Sequence, residues 1–438
     1  MSAALHPSRH RQHRRLAAPR SAVVLQDRLG AMAMFASMTA LRRSAISSAL
    51  AALAALCCAC GDDDGPGGST GEGGGGDGGG GAGAYAWGLP AGFPVPKVPE
   101  DNPMSSVKVE LGRRLFYDVR LSGNGTYSCG SCHRQELAFT DHLANAEGST
   151  GQLHSRSSMS LANVAYLTTL TWANPLIEAL EEQALLPMFG ETPVELGLAG
   201  MEDELLERLQ GEPLYQDLFP EAFPGDDEPI RLANITKAIA AFERSLLSYR
   251  APYDRYRYGG DPSGMSDAAL RGMDLFFSEK LECFHCHGGF NLSDSVEHDG
   301  TTFTEVMFHN TGLYNIDGNG AYPEGNGGVY EVSHKEADMG RFRAPTLRNI
   351  AVTAPYMHDG SIETLEGVLD HYAAGGRTIE AGLPNAGVGS ENKFKSELIS
   401  GFDLTGEERA DVIAFLQTLT DDEFLKDPRF ADPWAEAP

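Results

Sequence analysis

CGSCH at residues 129–133 and CFHCH at residues 283–287 decide how this chain is read. Both are C-x-x-C-H, the attachment signature of c-type haem. The reason is geometric. Thiols three positions apart share one helical turn, where each adds to a haem vinyl group. The histidine that follows places its imidazole under the iron. The alternatives are a dithiol redox site and half of a zinc site. The first wants a βαβ setting, which is missing here. The second needs four ligands close together and gives no reason for a histidine after each pair. Cys57, Cys58 and Cys60, the other cysteines, fall in an N-terminal leader. The expected cofactors are therefore two covalent haem c groups, on Cys129, Cys132 and His133, and on Cys283, Cys286 and His287. His285, between the second pair of cysteines, reads as a bystander.

GRRLF at 112–116 precedes the first pair, and GMDLF at 272–276 precedes the second. Each ends an expected helix. The same order of parts twice predicts two related domains, 91–255 and 256–438, joined between about Tyr249 and Ser266. The fold class is mainly α. Ile235, Ile239, Phe242, Leu246 and Tyr249 recur at helical spacing behind Asn234 as N-cap. Thr405 and Glu408 form a capping box ahead of an apolar face. Residues 310–328, rich in Gly and Asn, read as loop.

The chain of 438 residues carries a formal charge of -27. Eight arginines and one aspartate fall in the first 59 residues, so the remainder is strongly acidic. No basic footprint for nucleic acid is visible. Arg42 and Arg43 precede SAISSALAALAALCCAC, an apolar run too short for a transmembrane helix. Residues 1–60 read as an export signal, with the start at Met1, Met34 or Met38. Cys60, ahead of GDDDG, resembles the lipidated cysteine of a bacterial lipoprotein, although Cys57 stands where leucine is usual. Lipidation and simple cleavage both fit. Residues 61–90 read as a Gly/Asp-rich flexible linker. The expected location is the periplasm, with a membrane touched only through such an anchor.

In LEGVLDHYAAGG, residues 365–376, Leu365, Val368, Leu369 and Tyr372 share one helical face. Thr364 is the expected N-cap, and Gly375 or Gly376 the stop. Tyr372 points inward, and His371 is expected at the flank or in solvent. On these residues alone, Tyr372 is an ordinary core tyrosine.

The run GRFRAPTLRNIAVTAPYMHDGSIETLEGVLDHY closely resembles the bacterial di-haem cytochrome c peroxidase and MauG superfamily. LGRRLFYDVRLSGNGTYSCGSCHRQELAFTD, MSLANVAYLTTLTWANP and PMFGETPVELGL look most like its MbnH branch. The resemblance implies two cytochrome c-like domains with their haems facing the interface. It puts Tyr372, fourteen residues after His358, where peroxidases carry a distal methionine ligand. A phenolate there favours oxidised iron, whereas a thioether favours reduced iron. Met357 and Met339 are the substitutes should Tyr372 not ligate, with Met357 matching a non-ligand position.

The resemblance also implies that the haem on His133 meets peroxide, with Gln183 and Glu195 on its open face. Two extra residues separate these from the usual spacing, and Glu191 lies in that gap as the rival carboxylate. His154 is a rival occupant of the first iron, at an offset wrong by two residues. Trp172 matches the tryptophan placed between the haems; Trp87 and Trp434 lie near the ends. A calcium ion between the haems would take carbonyls of Thr353 and Pro355, with Ser157 replacing the usual asparagine.

The implied function is a MauG/MbnH-like oxidoreductase. Hydrogen peroxide forms a high-valent di-haem state that oxidises an aromatic residue, a tryptophan, of a partner protein. Members of the branch act on partners associated with copper handling. A cytochrome c peroxidase fed by a small cytochrome or cupredoxin is the alternative, and a non-enzymatic electron carrier is a third.

Overall fold

The computed structural model describes residues 85–435. The export leader, the start position and the Cys60 anchor lie outside these residues, as does most of the 61–90 linker. The linker's last residues do not hang free. Trp87 and Leu89 pack against Phe93, Tyr166 and Leu247, because two large apolar side chains have a surface to bury there.

The helices that bear on the site are α1 (Ser106–Tyr117), α2 (Leu180–Gln183), α3 (Leu232–Arg244), α4 (Asp267–Phe276), α5 (Leu365–Ala373) and α6 (Gly406–Gln417). One two-residue antiparallel pair, Thr378–Ile379 with Gly387–Val388, is the only strand pairing among the described residues. Residues 310–328 form neither helix nor strand, as their composition predicts.

The repeated five-residue motif has a packing cause. α1 crosses α3 and α4 crosses α6. A Cβ on Gly112 would lie far below 3.0 Å from the carbonyl oxygen of Ala238, and one on Gly272 would do the same to that of Asp411. Only glycine lets the backbones approach so closely. Four residues on, Phe116 meets Phe242 at 5.2 Å between ring centroids, and Phe276 meets Phe415 at the same 5.2 Å. Each motif therefore presents one notch and one ring to its partner helix, one turn apart.

Two apolar clusters follow. The first joins Leu111, Phe116, Ile239 and Phe242 to Phe424 and Phe430, which return from the C-terminal end. The second joins Phe276, Leu369 and Phe415, and takes in Ala173.

Local details differ at two points. α3 begins behind Arg231, not Asn234. Asn234 is buried, and its amide donates to Asp226 Oδ2 and the Pro229 carbonyl, both at 2.9 Å. Its side chain thus ties down the preceding loop. Thr364 and Thr405 cap α5 and α6 as expected, accepting from the amides of Gly367 and Glu408. No described helix is long and apolar enough to cross a membrane.

Candidate functional site

Cys129–Cys132 is one helical turn, opened by Ser128, whose amide donates to Ser131 Oγ at 3.0 Å. Cys283–His285 is a 3-10 turn that carries on into Cys286. All four thiols are unpaired. The two histidines after them are held alike. His133 Nδ1 lies 2.8 Å from the Phe139 carbonyl, and His287 Nδ1 lies 3.2 Å from that of Leu292. Nδ1–H donates to the carbonyl, which leaves Nε2 with its lone pair as a metal ligand. Burial lowers both imidazole pKa values, so the rings are neutral, as ligation requires.

Each motif lines its own cavity. The first, of about 410 Å³, holds Cys129, Cys132 and His133 together with Gln183, Glu195 and Trp172. Glu191 is exposed on the turn outside it. Burial pushes the Glu195 carboxyl above its ordinary value, so it keeps its proton further toward neutral pH. His154 also lines this cavity, but its Nδ1 already accepts from the Arg156 amide at 3.1 Å.

The second cavity, of about 340 Å³, holds Cys283, Cys286 and His287 together with Tyr372, Met357 and Trp172. Burial raises the Tyr372 phenol, so only a strong nearby cation would draw its proton off. Met339 packs in the surrounding core, and Met357 lines the cavity from a turn at φ 70°. His371 departs from expectation. It is 4% exposed, with neither ring nitrogen hydrogen-bonded. Neighbouring loops bring Arg377 and Lys395 over it, and burial pushes its pKa down to about 4. α5 is thus covered on a second side that its apolar stripe does not announce.

Trp172 belongs to both cavities and to a smaller one, of about 70 Å³, beside them. That small cavity brings together Ser157, Thr353 and Pro355. It also contains Asp141, which sequence reasoning passed over. Asp141 is 8% exposed and accepts from the Leu143 amide at 2.9 Å and Ser158 Oγ at 2.8 Å. A buried carboxylate is a stronger calcium donor than the serine alone. The signal was present: Asp141 ends the matched stretch HRQELAFTD.

Two further groups were not legible beforehand. Arg343 is 2% exposed, lines the second and the small cavities, and its Nη1 has no partner. Asp294 pairs with His309 beside Cys286. Their sequence neighbours give no hint of this meeting.

These residues fit haem c. The cavity volumes suit a cofactor, and each holds two free thiols and a lone-pair imidazole. A haem carries propionates, and Arg343, a buried cation whose Nη1 has no partner, is a group that a carboxylate would satisfy.

Comparisons with known proteins agree. The model of the family described as di-haem cytochrome c peroxidase matches residues 106–262. Cytochrome-c peroxidase IdrP1 of Pseudomonas sp. strain SCT is 35% identical over 343 residues, 75% of this chain and 84% of that protein. The methylamine utilization protein MauG of Methylorubrum extorquens is 34% identical over 321 residues, 73% of this chain and 80% of its own. A crystal structure of a MauG-like protein associated with microbial copper homeostasis superposes at a TM-score of 0.78. It is 51% identical, over 80% of this chain and 100% of that one. Two C-x-x-C-H cavities joined at Trp172 and relatives of this kind lead to one conclusion: the chain belongs to the di-haem cytochrome c peroxidase and MauG family of peroxide-dependent oxidoreductases.

Proposed function

We propose that this protein uses hydrogen peroxide to oxidise an aromatic residue, a tryptophan, on a partner protein. The observation that carries the reading is Tyr372 in the wall of the second cavity, facing the same space as His287. A phenolate is a hard anion, and it makes an iron centre easier to oxidise than a thioether does. Such a centre suits the storage of oxidising equivalents. The 51% identity to a MauG-like protein associated with copper homeostasis supports a partner from copper handling.

The two haems, when bound, supply the electron chemistry. His133 and His287 would hold them as iron ligands, and Tyr372 would be a further ligand to the second. The protein's own residues do the rest. Glu195 holds a proton inside the first cavity and can move it from one peroxide oxygen to the other. Gln183 offers an amide donor and acceptor in the same cavity to orient peroxide. Trp172, whose indole is among the easiest side chains to oxidise, links the two cavities. Calcium in the small cavity, held by Asp141, Ser157 and the carbonyls of Thr353 and Pro355, would brace that link. The division into domains at 255/256, each with its haem turned toward the other, belongs to this reading, as does export to the periplasm.

The second reading is peroxide removal with electrons from a small cytochrome or cupredoxin. It is favoured by Met357, a thioether in the second cavity, and by the relatives named cytochrome-c peroxidase. Haem-loaded protein given peroxide and either a reduced cytochrome or a tryptophan-bearing partner separates the two. Partner oxidation without rapid cytochrome turnover supports the first.

A further inference from the structure

Glu243 lines the first cavity from α3, one turn after Ile239. It is 5% exposed, and its Oε2 is enclosed without a hydrogen-bond partner. No cation donates a hydrogen bond to it, although Arg244 Nη1 is also enclosed without a partner. Arg244 Nη2 donates to Glu181 Oε2 at 2.8 Å, and Asn102 donates to Glu181 Oε1 at 2.6 Å. Lys108, on α1, donates to Asn102 Oδ1 at 3.0 Å and the Pro103 carbonyl at 2.7 Å. Cys129 and Glu195 bring no positive charge. A carboxylate buried without a cation is costly, so the neutral acid is the stable form. Burial is the largest influence; Arg244 opposes it and Glu181 adds to it, and the carboxyl is pushed up to about 8.

We propose that Glu243 is a second carboxylic acid of the first cavity, which stores a proton beside Gln183 and Glu195 for the reduction of peroxide. The inference rests on the peroxide reading above. Full reduction is H2O2 + 2 e− + 2 H+ → 2 H2O. The O–O bond breaks, two O–H bonds form, and the electron donor is oxidised by two electrons. Glu195 moves a proton between the two peroxide oxygens, so both protons of this balance come from outside peroxide. Glu243 relays them in turn: its O–H bond breaks, the proton passes through cavity water to a peroxide-derived oxygen, and solvent reprotonates the carboxylate before the second transfer. Gln183 is on α2, which packs against α3, so acid and amide share one wall. Glu243 acts through water and is a positioning residue.

The test is infrared spectroscopy of the ferric haem-loaded protein labelled at glutamate, with steady-state peroxide consumption measured on the same samples. The expected result is a protonated-carboxyl band at pH 7 with a component that Glu195→Gln keeps and Glu243→Gln loses. It fades as pH rises through about 8. Peroxide consumption should fall over the same pH range, and Glu243→Gln should lower it about 100-fold at pH 7 and remove that step. A wild-type protein that consumes peroxide without the band overturns the inference alone. One that shows the band and consumes no peroxide overturns the peroxide reading. A wild-type rate and pH profile in Glu243→Gln also overturns the inference. The titration of the wild-type band needs no variant, so a poorly folding substitution does not block the test.

Discussion

The indole Nε1 of Trp172 donates to the carbonyl of Ser157 at 2.9 Å, and the amide of Ser157 donates to the carbonyl of His358 at the same 2.9 Å. Trp172 is thereby fixed to the strip of chain that separates the cavities. Its own carbonyl accepts from the Arg343 amide at 2.9 Å. Trp172→Phe keeps a ring and loses the N–H and the easily oxidised indole. Peroxide should still react at the first haem, while the second iron no longer responds. Freeze-quench spectra of both irons, with and without the substitution, check this.

Glu195 and Glu191 predict opposite outcomes. Glu195→Gln removes a half-buried acid from the first cavity and should slow the reaction with peroxide by about 10²–10⁴-fold. Glu191→Gln changes an exposed side chain and should leave the rate unchanged. Stopped-flow mixing of ferric protein with peroxide measures both.

Calcium removal should act through the small cavity. Chelation should lower the melting temperature and weaken the response of the second iron, and added Ca2+ should restore both. Site occupancy at 100 times the dissociation constant is worth about 2.7 kcal/mol. Asp141→Asn should blunt the effect of the chelator, because the buried carboxylate is the charged donor of the set.

The paired helix crossings give a stability prediction. Gly112→Ala and Gly272→Ala each force a methyl into a backbone carbonyl. Each should cost about 1–3 kcal/mol, the range for overpacking in a close-packed interior. Urea unfolding of the haem-loaded single variants checks this.

Those glycines also show what the sequence made legible. The haem motifs, the helical class and the repeat were readable because each is a local pattern: a spacing, a period, a recurring pentapeptide. The reason for the repeat was not, because Ala238 and Asp411 lie more than a hundred residues from the glycines they meet. Long-range coverage hid His371 in the same way. Its helix predicts an open flank, and loops from elsewhere close it. Arg343 and Glu243 carry no local pattern that marks them out in one dimension. Only the fold buries them beside the cavities and leaves Arg343 Nη1 and Glu243 Oε2 without partners.

The most direct test of the central claim is Mössbauer spectroscopy of the ferric haem-loaded protein after peroxide, repeated with Tyr372→Phe. Both irons should leave the ferric state in the wild type, and only the first should do so in the variant. An unchanged two-iron response in Tyr372→Phe, or one abolished instead by Met357→Leu, would contradict it.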